Sequence, residues 1–308
     1  MGEAIITRRG SGEVIVEFDN FIPSNIDPSN EEFIRSTLTA LSVERYRPAG
    51  ASVGNYALFA GGYGGGSYRN TVDAYGTSLT RSTPTTLSAG RERLAGASVG
   101  NYALFAGGIY GSSSYRNTVD AYDTSLTRST PTVLSVGRSR LAGANVGNYA
   151  LLAGGYTGSN HNTVDAYNAS LTRSTPTALS TPRSSLAGAS VGNYALFAGG
   201  YDGSLRDTVD AYDTSLTRST PTALSVGRER LAGASVGNYA LFAGGYTASP
   251  RDTVDAYTPP VLEARLYMPI GTKYKFGESE EIATTNEIIV RVPLTGYIKF
   301  KKGVIRNG

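Results

Sequence analysis

Arginine and aspartate recur along this chain at fixed spacing. Arg45, Arg91, Arg138, Arg183 and Arg228 form one set; Arg47, Arg93, Arg140 and Arg230 follow two residues later, with Ser185 standing in the fifth place. Asp73, Asp120, Asp165, Asp210 and Asp255 form a third set. A guanidinium presents a rigid fork of donors that suits a carboxylate, phosphate or sulfate ligand. The same fork, once desolvated, needs a carboxylate of its own. Five arginines against five aspartates favour structural pairing for the first set, and leave Arg47, Arg93, Arg140 and Arg230 as candidate ligand contacts.

Catalysis would need more than arginine. A glycosidase requires two carboxylates at a defined separation, and the candidates Glu44, Glu92, Glu229, Asp202 and Asp207 lie in repeated surroundings and not in a unique motif. A catalytic site breaks symmetry, so a non-enzyme is expected, with a glycosidase acting on cell-surface polysaccharide as the third functional reading. The chain has no Cys and the single His161, too few soft or imidazole ligands for a zinc or copper centre. Neither a metal nor another cofactor is expected. The Gly61-Gly62 pair and its copies lead into strand patterns, whereas a dinucleotide fingerprint must open a helix.

Composition narrows the partners. A formal charge of +3 offers no basic stripe to neutralise several phosphates, so nucleic acid is not an expected partner. Apolar runs such as Tyr-Ala-Leu-Phe-Ala fall far short of the roughly 20 residues of a membrane helix. The N-terminal stretch lacks an apolar signal-peptide core, so no signal peptide is expected. All five Lys lie between Lys273 and Lys302, a compositional shift that marks a boundary.

The elements that must position these residues repeat. Five copies start at Ala51, Ala97, Ala144, Ala189 and Ala234, giving periods of 46, 47, 45 and 45 residues. Periods of this size indicate a propeller or a solenoid. Each copy reads as strand a, a Gly-Asn turn, strand b ending in Gly-Gly, a loop of changing length, strand c (Val-Asp-Ala-Tyr) and strand d. The Gly-Asn link signals a tight hairpin, because both residues tolerate positive φ. Strand d carries Pro84, Pro131, Pro176 and Pro221, which cannot donate to a ladder and so belong on an edge. Copy five stops at Tyr257-Thr-Pro-Pro260. Residues 33–42 align without a gap on Leu216–Ser225 and supply the missing strand d, with Arg35 in the place of Arg218. The expected fold is therefore all-β: a five-bladed propeller of four-stranded blades over 33–257, its ring closed by the strand at 33–42. Residues 1–32 read as a hairpin and linker, and residues 258–308 as a β-rich attachment or oligomerisation segment. The two ends together would form a small β module.

Arg91, then Tyr102 to Gly107-Gly108, then Val119-Asp-Ala-Tyr-Asp123, resembles the kelch repeat over residues 33–257, although no Trp is present. The opening Gly2-Glu-Ala-Ile-Ile-Thr-Arg-Arg-Gly10, followed by these repeats, also resembles tail-fibre or tail-tip proteins of phages of Gram-positive bacteria. That resemblance implies a virion component assembled in the host cytoplasm. It further implies contacts with other tail or baseplate subunits, and a homo-oligomer, commonly a trimer.

Strand alternation puts b-to-c loops and d-to-a links on one face of the disc. The b-to-c loops are also where the copies differ. They carry Tyr63, Tyr68, Arg69, Tyr110, Tyr115, Arg116, Tyr156, His161, Tyr201, Arg206, Tyr246 and Arg251. Tyrosines with Ser, Gly, Asn and Arg make a recognition surface of rigid aromatic area and adaptable hydrogen bonding. Equally, unconstrained loops drift. On the first view the chain is a receptor-binding protein that reads a host-surface glycan or protein. The alternative is a baseplate or decoration subunit whose variable face contacts its neighbours.

Overall fold

A computed structural model describes residues 38–267, together with the strands Ala4–Arg8, Val14–Phe18, Lys273–Phe276, Ser279–Ile282 and Glu287–Pro293. Every regular element among them is a strand. The chain divides into two units, Met1–Leu38 and Thr39–Gly308. In the first, Ala4–Arg8 pairs antiparallel with Val14–Phe18, as the alternating pattern around Gly10-Ser11-Gly12 predicts.

The second unit holds the five-bladed propeller. In blade two, strand a (Ala95–Val99) pairs with b (Tyr102–Ala106), b with c (Val119–Asp123) and c with d (Arg128–Ser129), all antiparallel. The same order holds in blades one, three and four. Strand d is shorter than its sequence pattern, only two residues being paired before the proline ends the ladder. The turn into it is set locally. Asp123 Oδ1 accepts the N–H groups of Ser125 and Thr127, both at 2.9 Å, and holds Leu126 left-handed at φ 62°. Leu126 is then driven into the interface with the preceding blade, whose burial offsets the strain.

Four apolar clusters fill four seams. Between blades one and two, Leu58, Ala60, Val72 and Leu94 meet Ala103, Phe105 and Tyr122; the seams of blades two–three, three–four and four–five reuse the same positions. The innermost strands approach so closely that only glycine fits. A methyl group on Gly96, Gly143, Gly188 or Gly233 would strike the carbonyl of the glycine one blade back. The Gly-Gly pair has a matching role: Gly62, Gly108, Gly155 and Gly200 each donate an N–H to the carbonyl of the next blade's arginine, all at 2.9 Å.

Inside each blade one ion pair ties strands a, b and c together. In blade two, the buried Arg91 donates to Asp120 at 2.7 Å, to the strand b carbonyl of Phe105 at 3.1 Å and to Ala89. Asp120 also accepts Ser88 N–H from the d-to-a link at 3.1 Å, and faces Arg128 of strand d at 3.5 Å. The partners in the other blades are Arg45–Asp73, Arg138–Asp165, Arg183–Asp210 and Arg228–Asp255, at 2.6 to 2.8 Å. Burial lowers the pKa of Arg91, Arg138 and Arg183, and the facing carboxylates oppose it. For Asp73, burial pushes upward, but hydrogen bonds from Arg45 and Ser42 leave it below the usual range. The pairing expected from matched counts is the arrangement found.

The fifth blade and the fifth seam differ. Strands Ala232–Val236, Tyr239–Ala243 and Val254–Tyr257 make a three-stranded sheet among the described residues. The expected fourth strand at 33–42 falls largely on residues 33–37, outside the described residues. The tail of that segment is described and follows the repeat: Thr39 O accepts Tyr75 Oη at 2.8 Å as Thr85 O accepts Tyr122 Oη at 2.7 Å, and Ser42 N–H bonds Asp73. Where copy five turns away at Pro259-Pro260, a groove of about 550 Å³ opens beside Val191, Tyr194, Leu196 and Tyr257. It occupies the place that Leu126, Leu171 and Leu216 take at the three preceding seams. Between blades five and one, Phe59, Val236 and Val254 are exposed, whereas Phe105, the counterpart of Phe59, is fully buried. The atoms nearest a methyl group on Gly50 are the Phe59 ring at 3.8 Å and the Leu58 carbonyl at 3.9 Å, both of its own blade. Among the described residues, four seams are sealed alike, and at the fifth the side chains of Phe59, Val236 and Val254 are exposed.

The last strands pair Val261–Tyr267 with Glu287–Pro293 and Lys273–Phe276 with Ser279–Ile282, a β-rich segment as its pattern predicts.

Two stability measurements follow. Gly143→Ala is expected to cost about 2–4 kcal/mol by overpacking a site with no room, while Gly50→Ala stays within about 0.5 kcal/mol; equal melting temperatures would contradict the seam geometry. Burial, reinforced by Asp120, Asp165 and Asp210, raises the pKa values of Tyr122, Tyr167 and Tyr212, and Tyr257 is raised to about 12. A raised phenol contributes stability fully below its unfolded pKa of about 10 and loses it above. Denaturant midpoints should therefore be flat to pH 9 and fall between pH 10 and 12, less steeply in Tyr122→Phe.

Candidate functional site

The loops that vary between copies are held to the links that do not. In each blade the d-to-a link and the b-to-c loop share an antiparallel bridge: Tyr46 with Tyr63, Glu92 with Ile109, Ser139 with Tyr156, Ser184 with Tyr201 and Glu229 with Tyr246. These bridges confirm that both loop sets lie on one face. In blades one and two the loops extend into small ribbons, Tyr63–Gly64 with Ser67–Tyr68 and Ile109–Tyr110 with Ser114–Tyr115. The shorter loops of blades three to five close through single bridges.

The expected site residues divide into two groups. Tyr63, Tyr68 and Tyr110 come together in an aromatic strip across blades one and two, and Tyr115 and Tyr156 form a separate pair across blades two and three. Ring centroids are 4.9 Å apart for Tyr63–Tyr68, 4.9 Å for Tyr68–Tyr110 and 6.0 Å for Tyr115–Tyr156. Tyr46, overlooked in the sequence reading, extends the strip, 5.6 Å from Tyr63 and half exposed. Its place in a d-to-a link, opposite a loop tyrosine, was the available signal. Guanidiniums lie over three of these rings, Arg47 on Tyr46 at 5.0 Å, Arg116 on Tyr110 at 5.5 Å and Arg140 on Tyr156 at 5.5 Å. Arg69 joins the strip's base, its N–H bonded to Gly62 O at 2.8 Å.

Other residues stay apart. Arg206 bonds Asp202 of its own loop at 2.7 Å, and Arg251 bonds Thr247 at 2.8 Å. His161 lies 2.6 Å from Thr157 Oγ1, its pKa lowered by burial and then by Arg138, so the ring is neutral at pH 7. Tyr201 and Tyr246 are exposed without an aromatic neighbour among the described residues.

At the centre of the same face, Arg47, Arg93, Arg140, Ser185 and Arg230 surround a cleft of about 740 Å³ floored by Leu94, Leu141, Leu186 and Leu231. All five hold φ of 56–57°, a left-handed conformation uncommon without glycine. Backbone bonds run from blade to blade through three of them: Arg140 N–H to Arg93 O, Ser185 to Arg140 and Arg230 to Ser185, at 2.8 to 2.9 Å. The strain therefore fixes where the guanidiniums emerge. Glu92 accepts from Arg47 at 3.0 Å and lies 3.4 Å from Arg93, and Glu229 lies 3.5 Å from Arg230. Burial lowers the Arg93 pKa, and repulsion from Arg140 and Arg47 adds to it. Chemically, the cleft gathers cations in excess of the carboxylates that face them.

No protein-family model matches this chain. No curated protein matches it either. Among solved structures, the fold is similar to that described as "Structure of YjhT", with a TM-score of 0.57 and 16% sequence identity, over 73% of this chain and 84% of that one. At that identity the likeness establishes the β-propeller fold alone.

Glu92→Gln tests the electrostatics of the cleft. The variant should melt below the parent at low salt, with the difference shrinking as added salt screens the arginines; a salt-independent difference would remove repulsion as the cause.

Proposed function

We propose that this propeller is a non-enzymatic binding module, a receptor-binding component of a phage tail that recognises a host-surface glycan or protein with its loop face. The aromatic strip from Tyr46 to Tyr110, together with the pair Tyr115–Tyr156, carries this reading. Tyrosine faces pack against sugar rings or apolar side chains while their hydroxyls bond polar groups, at low entropic cost. Rigid bridges hold the rings on a scaffold whose other face is uniform, and arginines beside them add charge-assisted bonds.

A second reading, a baseplate or decoration subunit, draws support from a different observation. The exposed faces of the fifth seam, with Phe59 and Val254, offer apolar area of the kind that neighbouring subunits cover.

Adsorption separates the two. The full-length protein, labelled and incubated with a panel of Gram-positive cell walls, should bind one of them, and Tyr68→Ala combined with Tyr110→Ala should weaken that binding about tenfold or more, as loss of central aromatic anchors does. Binding to no wall, or binding indifferent to the double substitution, would overturn the loop-face reading.

A further inference from the structure

Two successive junctions of the channel cleft repeat one arrangement and differ in one residue. At the junction of blades one and two, the Glu92 carboxylate sits between two guanidiniums. Its oxygens accept from Arg47 Nη1 at 3.2 and 3.0 Å, and Oε1 lies 3.4 Å from Arg93 Nε. One blade on, the flanking residues are Arg93 and Arg140, in the same left-handed conformation. The position of Glu92 is taken by Ser139.

Backbone bonds show that the two positions are equivalent. Glu92 N–H bonds Ile109 O at 3.1 Å and accepts at 2.9 Å in return; Ser139 N–H bonds Tyr156 O at 3.1 Å and accepts at 2.8 Å. The Ser139 side chain therefore leaves the chain in the direction that Glu92 takes. It is 1% exposed, and its Oγ has no hydrogen-bond partner among the described residues. A buried hydroxyl in that state costs free energy that a ligand oxygen would recover. Arg140 likewise has no carboxylate within salt-bridge distance among the described residues, its guanidinium lying over Tyr156. Serine supplies no carboxylate at the position where Glu92 supplies one a blade away.

We propose that this saddle between Arg93 and Arg140 binds the carboxylate of an acidic glycan, in the position that Glu92 occupies at the preceding junction. The two guanidiniums donate from either side, above the enclosed Ser139. Tyr115 and Tyr156, 6.0 Å apart, stand beside the seat and present aromatic area to the sugar that bears the carboxylate. The mutual repulsion of the arginines, which adds to burial in depressing the Arg93 pKa, is relieved when an anion enters. Only the choice of a glycan as carrier rests on the proposed function; the anion seat follows from the comparison of Glu92 with Ser139.

Calorimetric titration of the full chain with D-glucuronate, D-glucose and sulfate tests it. Glucuronate should bind and glucose should not. Ser139→Glu, which restores an internal carboxylate, and Arg140→Ser, which copies Ser185, should each weaken glucuronate about tenfold or more. Ser139→Glu should also raise the melting temperature, which shows the variant folded with its seat filled. Glucuronate binding unchanged in both variants would overturn the site, and so would sulfate binding without glucuronate. An oligoglutamate peptide that binds about tenfold more tightly at the same seat would overturn the glycan. Glucuronate bound by a protein that adsorbs to no cell wall would leave the seat standing and the proposed function refuted; adsorption lost in the tyrosine double variant, with no glucuronate binding, would do the reverse.

Discussion

A guanidinium taken out of water must be met by a carboxylate and by carbonyl oxygens, and the propeller is built around five such meetings. Each brings together the d-to-a link, the start of strand a, the last carbonyls of strand b and the aspartate of strand c. In blades one to four, strand d adds a second arginine. Removing one member of such a pair leaves an uncompensated buried charge and costs about 3–5 kcal/mol. The pair therefore acts less as a source of net stability than as a condition on strand placement. A blade with any strand out of register leaves a charge unmet.

From that constraint the loop face follows. The buried arginine fixes the start of strand a. The residue two positions on is left-handed in every blade, and Arg47, Arg93, Arg140 and Arg230 gather around one cleft. The adjacent bridges carry the rigidity outward to the loop tyrosines. A surface of variable residues is held by backbone bonds that involve no variable side chain, so loop sequence can change without disturbing the frame.

The repeat period, Gly-Asn turns, Gly-Gly pairs and edge prolines made the blades legible in the sequence, because each is a local demand on backbone geometry. Arg–Asp pairing was legible for another reason: equal counts in equivalent copies leave each charge one counterpart. The site was readable only in part. Tyr63 and Tyr68 could be placed on the variable face, but nothing in their spacing shows that Tyr68 lies against Tyr110 of the next blade, a contact set by the rotation between blades. Ser139 was silent, since a serine acquires meaning only when the Glu92 carboxylate is seen between its arginines. The exposed fifth seam was equally hidden, because Phe59 and Phe105 are the same residue in the same motif and differ only in what stands opposite.

That sameness has a consequence for how the array can change in length. Each of the four packed seams joins the forward face of one blade to the rear face of the next through equivalent positions, so none of these blades carries the identity of its neighbour. Loss or duplication of a whole repeat would remove or add one seam of an existing kind, and the two terminal faces would remain what they are now. A gene assembled this way can alter the number of its loops, and with it the breadth of the surface they form, without inventing a single new interface.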